Sequence, residues 1–158
     1  MAKHKTIEDN MKEVLGGELL KNALDFVVYM KENGMTVSGN RFYYKGELTC
    51  IPIWKKDVNN PDGEWILCHC PINEHKGFPL DESVKEYVQA SVSKCRNCGC
   101  DHEERGATKM IFGKEFDNLC SSEIAFINPD AAAVEKIKIL MELWKYKLDN
   151  IISDSKTF

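Results

Sequence analysis

The chain has 158 residues, with 21 Lys and Arg against 25 Asp and Glu and a formal charge of −4. That length suits one compact domain with its own core, and the absence of any basic run able to track a phosphate backbone argues against a nucleic-acid partner. No apolar stretch approaches the roughly 20 residues of a membrane span, and Met1 to Lys5 lead into a polar helix start without the apolar segment of a signal peptide, so the expected location is the cytoplasm.

Thr6-Ile7-Glu8-Asp9 has the form of a capping box, which predicts a helix start. Gly16-Gly17 interrupts that helix. A second one follows with Leu20, Ala23, Leu24, Val27 and Val28 as its expected core stripe and Gly34 as its stop. From residue 35 the period changes to two. Phe42-Tyr43-Tyr44 lies between turn signals at Gly39-Asn40 and Lys45-Gly46, and Leu48, Cys50, Pro52 and Trp54 alternate with Ile51 and Ile53, which reads as a β-meander. Pro52 lacks an amide donor, so its strand belongs at a sheet edge or a bulge. Asn60-Pro61-Asp62-Gly63 reads as a turn returning the chain into a strand from Glu64 to Cys70.

Asp81 opens a helix with Val84, Tyr87, Val88, Ser91 and Val92 on one face. After the cysteine loop, strands are expected near Thr108 to Phe112 and Glu123 to Ile127, with Phe112 to Asn118 running out as a loop that exposes Glu115 and Asp117. Asn128-Pro129-Asp130 supplies an N-cap, a first-position proline and a first-turn acid. The last helix carries Val134, Ile137, Met141, Trp144, Leu148 and Ile151 as a narrow stripe suited to lying across a sheet. With no repeat, low-complexity tract or linker, residues 1–158 are read as one α+β domain. Its antiparallel meander of about five to six strands is covered by helices on one face, and the chain closes with a long C-terminal helix.

Seven cysteines without a secretion signal point to thiols or metal ligands rather than disulfides. Cys95-Arg96-Asn97-Cys98-Gly99-Cys100 is the most informative stretch. A C-x-x-C turn aims two thiolates at one ion, and the following glycine permits the turn that metal knuckles need. A tetrahedral zinc needs two further ligands. Cys100 and His102 are nearest but crowd the chelate, so a distant ligand is expected, and Cys120 is the first choice. The metal set is therefore Cys95, Cys98, Cys100 and Cys120. Cys68 and Cys70, on one strand face by alternation with His69 opposite, are a second pair. Against that, cysteines in strands, Cys50 included, commonly pack as small apolar side chains.

A redox dithiol at Cys95 and Cys98 is disfavoured because the preceding helix ends there, presenting the negative end of its dipole. Asp101-His102-Glu103-Glu104 lacks the spacing of a zinc protease and reads first as a solvated loop, with His102 or Glu103 able to activate water only beside an open zinc. His69, His75 and Asp81 assemble with Cys70 into a nucleophile site on paper, without orienting geometry. His4 lies too near the terminus to weigh. Core packing accounts for half of the meander aromatics Phe42, Tyr43, Tyr44, Trp54 and Trp65. Tyr44, Trp54 and Trp65 are the candidates to line a pocket for a small planar or apolar ligand. No phosphate-binding glycine loop or G-x-S-x-G elbow is present.

The stretch Ile111-Phe112-Gly113-Lys114-Glu115-Phe116-Asp117-Asn118-Leu119-Cys120, followed by Phe126, Asn128-Pro129-Asp130 and a Lys-rich amphipathic helix, resembles small bacterial proteins of a domain-of-unknown-function family. The resemblance extends from the segment Phe26 to Met35 through Ile151. It implies a bacterial cytosolic α/β domain with Cys95, Cys98 and Cys120 at family cysteine positions. It implies no reaction, and Cys100 has no counterpart in it. The residues themselves lead to one geometric expectation: the segment after Phe112 packs on the cysteine loop and brings Cys120 towards Cys95 and Cys98. Three functions compete. The first is a binding or regulatory module with a structural zinc; the second is a thiol- or zinc-dependent enzyme; the third is a metal-free sensor using the sheet aromatics. The sheet's open face is available to a protein partner or a second copy.

Overall fold

The computed structural model describes residues 3–72, 75–96 and 106–155, with side chains as far as residue 151. Helix α1, Ile7–Val14, begins at the expected capping box: Thr6 Oγ1 accepts from the Asp9 amide at 3.1 Å, and the Asp9 carboxylate accepts from the Thr6 amide at 3.2 Å. Helix α2, Gly17–Glu32, buries Ala23, Phe26, Val27 and Met30. Its apolar face is therefore turned from the predicted stripe, and Val28 is 47% exposed, because 23, 26, 27 and 30 are the positions that a 3.6-residue period stacks on one side. Gly34 stops the helix in the left-handed region, at φ 81°.

The strands are β1 Thr36–Ser38, β2 Arg41–Tyr44, β3 Glu47–Asp57, β4 Asn60–Cys68, β5 Val92–Lys94, β6 Ala107–Ile111 and β7 Lys114–Ile127, with helix α3, Glu82–Ala90, before β5 and helix α4, Ala131–Ser155, after β7. All pair antiparallel in one seven-stranded sheet of order β1-β2-β3-β4-β7-β5, with β6 also on β7. The α+β class, the antiparallel meander and the long C-terminal helix are as expected. The strand number is higher than expected, because two of the strands are only three residues long and carry no periodic signal.

The structure departs from the local sequence pattern at four places. The turn between β3 and β4 is Val58-Asn59, since Asp57 pairs with Asn60, and Asn60 to Gly63 are already strand. Gly63 sits at φ 86°, where a Cβ would stand 2.9 Å from the Val14 carbonyl oxygen and 3.0 Å from that of Lys55, so the glycine lets α1 lie directly on the hairpin. Strand β4 ends at Cys68 rather than Cys70, because His69 turns into the left-handed region at φ 57°. Val92 belongs to β5, not to the preceding helix. The cap of α4 is Asp130, whose Oδ1 accepts from the Ala133 amide at 2.8 Å, while Asn128 is used elsewhere.

Pro52 lies within the third strand from one sheet edge, yet the expectation of an edge holds locally. Strand β2 pairs with β3 only as far as Cys50. The Pro52 carbonyl accepts from the Asn40 side chain at 3.3 Å on that side, so the missing amide faces no ladder.

Trp65 and Leu67 of β4 and Phe126 of β7 face the helices and join one core with Met11, Phe26, Phe42, Ile137 and Met141. Each large side chain so buried contributes about 1.5–3 kcal/mol relative to exposure. Of the α4 stripe, Val134, Ile137, Met141 and Leu148 are buried, but Ile151 is 52% exposed. The other sheet face carries the exposed Ile53 and Ile127. Among the described residues no helix is long and apolar enough to cross a membrane.

Candidate functional site

The segment expected to be a loop after Phe112 is a hairpin. Phe112 and Gly113 both take positive φ, 49° and 83°, between the paired residues Ile111 and Lys114. This is the backbone that a two-residue turn needs to match strand twist. Strand β7 then runs fourteen residues, from Lys114 to Ile127, long enough to serve β6, β5 and β4 in succession. Glu115 and Asp117 are exposed as expected.

Leu119 is the crossing point. It pairs with Lys94 of β5 and with Ala107 of β6. The Cys95 amide donates to the Asn118 carbonyl at 2.7 Å, the Asn118 side-chain amide donates back to the Cys95 carbonyl at 3.3 Å, and the Gly106 amide donates to the Leu119 carbonyl at 2.8 Å. Lys94 also holds Asp117 at 2.7 Å. The chain therefore leaves β7 at Cys95 and returns to it at Gly106, on adjacent residues. Cys98, Cys100, Asp101, His102, Glu103 and Glu104 lie between, outside the described residues.

Cys120 follows that crossing point directly and is half-buried. The Ser122 hydroxyl donates to its sulfur at 3.4 Å. Hydrogen bonds from Ser122, then from Ser121 and Ser93, hold the Cys120 thiol below its ordinary range against a smaller opposing effect of burial, because donors favour the thiolate. Its two closest competitors behave oppositely. Burial, reinforced by Cys70 and Cys120, pushes Cys68 up to about 11. Burial and the neighbouring Cys70 thiol push Cys50 well above its usual value. Cys120 is thus the described cysteine whose surroundings suit a metal ligand or a nucleophile.

The remaining sequence candidates separate. Cys68 and Cys70 do not share a strand face: the left-handed turn at His69 sends Cys70 into the core beside Cys50, while Cys68 pairs with Ile51 and Ala125 and rests its thiol on the Ile51 carbonyl at 3.3 Å. These are the buried apolar cysteines of the plainer reading. Cys70 is 5% exposed, and its thiol approaches the Cys68 carbonyl at 3.9 Å. Asp81 caps α3 by accepting from the Ser83 amide at 2.9 Å. His75 accepts from the Gly77 amide at 3.0 Å and lies edge-on to Tyr146.

The aromatic trio also divides. Trp65 is wholly buried against Phe26, and the Tyr44 hydroxyl donates to Asp149 at 2.9 Å while Lys45 and Lys145 approach its ring. Trp54 borders a cleft. Sequence reasoning missed Ser93, Ser121, Ser122 and Asn118, whose importance comes from strand register and has no signal along the chain.

Comparison with known protein families, characterised proteins and solved structures gave no match. Among the described residues no three His, Cys, Asp or Glu side chains converge to hold a metal ion. Of the zinc set expected from the sequence, Cys95 and Cys120 fall among the described residues, whereas Cys98 and Cys100 lie outside them.

Proposed function

We propose that this cytosolic domain is a binding or regulatory module in which a structural zinc, held by Cys95, Cys98, Cys100 and Cys120, closes the loop between β5 and β6. The observation that carries the reading is the paired anchoring of Cys95 and Gly106 on Asn118 and Leu119, next to Cys120. Three residues of chain reach at most about 11 Å, so Cys98 stays within range of the same point. The loop, rich in charged and polar residues, lacks the apolar side chains to order itself, and four thiolates on a zinc supply that order. The segment resembling the bacterial domain-of-unknown-function family is the one that contributes Cys120.

The lowered Cys120 thiol favours one second reading, a cysteine-dependent enzyme in which Cys120 is the nucleophile. Metal content by mass spectrometry, on untagged protein purified without added zinc, separates the two. About one zinc per chain, with Cys95 and Cys120 protected from alkylation until a chelator is added, is the expected result. Metal-free protein with an unchanged melting temperature in chelator overturns the zinc reading and leaves the reactive thiol.

A further inference from the structure

We infer a second site, a cleft between the start of α1, the β1–β2 turn and β3, that takes a small planar aromatic acid. The cleft has a volume of ≈ 570 Å³, within the usual range for small-molecule sites. Ile7, Val37 and Trp54 form its apolar wall, and Lys5, Lys31 and His4 border it with no acidic side chain among its lining residues.

Each part of this arrangement has a structural cause. Alternation along β3 turns Trp54 to the helix side, opposite Trp65. Trp65 is wholly buried against Phe26 of α2, whereas Trp54 stays half-buried at the core's margin. An indole held on one side by packing offers its remaining surface to a flat ring. Lys31 holds Glu8 at 2.6 Å and Lys5 holds Glu13 at 2.5 Å, and the two lysine side chains stay 42% and 59% exposed. An ammonium carries three donors, so one carboxylate leaves each lysine able to bind a second anion. Glu8 and Glu13 thereby fix the lysines without lining the cleft. Asn40, tied through its side chain to the Pro52 carbonyl, holds the far lip in place. Flat apolar wall and cationic rim together match a ligand with an aromatic ring and one carboxylate.

This cleft shares no residue with the cysteine site, so the two readings stand or fall separately. The test titrates the full chain with 2-naphthoate, and in parallel with the neutral naphthalene-2-methanol, by calorimetry and tryptophan fluorescence. Saturable binding of one naphthoate per chain is expected, weakened about tenfold by Lys5→Glu, a loss of about 1.4 kcal/mol, and abolished by Trp54→Leu. Lys5 is exposed, so its variant reports even if Trp54→Leu fails to fold. No saturable binding to folded protein, an affinity unchanged in Lys5→Glu, or equal binding of the neutral alcohol overturns the proposal.

Discussion

Asn128 and Trp65 bind each other twice: the Asn128 side-chain oxygen accepts from the Trp65 amide at 2.8 Å, and the Asn128 amide donates to the Trp65 carbonyl at 2.7 Å. Asn128 does this at φ 46°, a left-handed conformation that asparagine tolerates better than most residues. The residue expected to cap α4 instead extends the β4–β7 pairing by one side-chain bond, under the most deeply buried indole of the core. Asn128→Ala leaves a partly buried amide without its acceptor and holds an alanine, which tolerates the left-handed region less well than asparagine, at positive φ, so a loss of about 2 kcal/mol is expected by urea denaturation. Asn128→Gly, which relieves the φ but not the lost bond, should fall between wild type and alanine.

Gly63 should be intolerant of even one added carbon. A methyl there meets two carbonyl oxygens, from α1 and β3, at a positive φ, and backbone atoms cannot swing aside as a side-chain tip does. Gly63→Ala is expected to cost at least about 2 kcal/mol, read as a fall in Tm. Gly39→Ala is the control: a Cβ there meets nothing within 4 Å, so only the cost of its own positive φ should appear.

In chelator-treated protein, Cys120 should be alkylated by iodoacetamide well before Cys50, Cys68 and Cys70 at pH 7.5. Its reactivity should survive to lower pH than an ordinary thiol allows, since the thiolate is the reacting form. Ser122→Ala removes the leading donor to the sulfur and should slow that labelling several-fold. Equal rates in the two proteins would remove the serine's role.

Alkaline pH should weaken the fold. In the folded protein Cys68 is raised from its ordinary 9.0 to about 11 by burial. The neutral thiol is the form that the fold prefers, so its contribution is complete below pH 9 and is lost as pH rises through the window from 9 to 11. Tm measured across that window should fall, and Cys68→Ala should flatten the fall while lowering Tm at pH 7 through loss of packing and of the bond to Ile51.

Local chemistry was legible along the chain wherever neighbours in sequence are also neighbours in space. Thr6 and Asp9 announced the start of α1, Asp81 the start of α3, and the three- and four-residue spacing from Val134 to Leu148 the buried face of α4. Cysteine spacing nominated Cys95, Cys98, Cys100 and Cys120, but gave no sign that Asn118, read as loop, and Leu119 belong to the strand on which Cys95 docks. What depended on register could not be read in this way. Whether Asn60 to Gly63 is turn or strand turns on the pairing of Asp57 with Asn60. Whether Cys68 and Cys70 share a face depends on a single left-handed residue between them, and one such residue inverts an alternation of period two.

Length, charge, an α+β layout and a short roster of thiols were thus determined by the sequence by itself, because each follows from composition or from contacts within a few residues. Only the tertiary structure decided that Trp65 is core while Trp54 borders a cleft. It also decided that Asn128 serves β4 rather than α4, and that Cys95 and Gly106 both dock on the two residues before Cys120. Those outcomes rest on contacts between residues distant in the chain, whose geometry is set by how strands pair and helices cover them, and no local pattern records that.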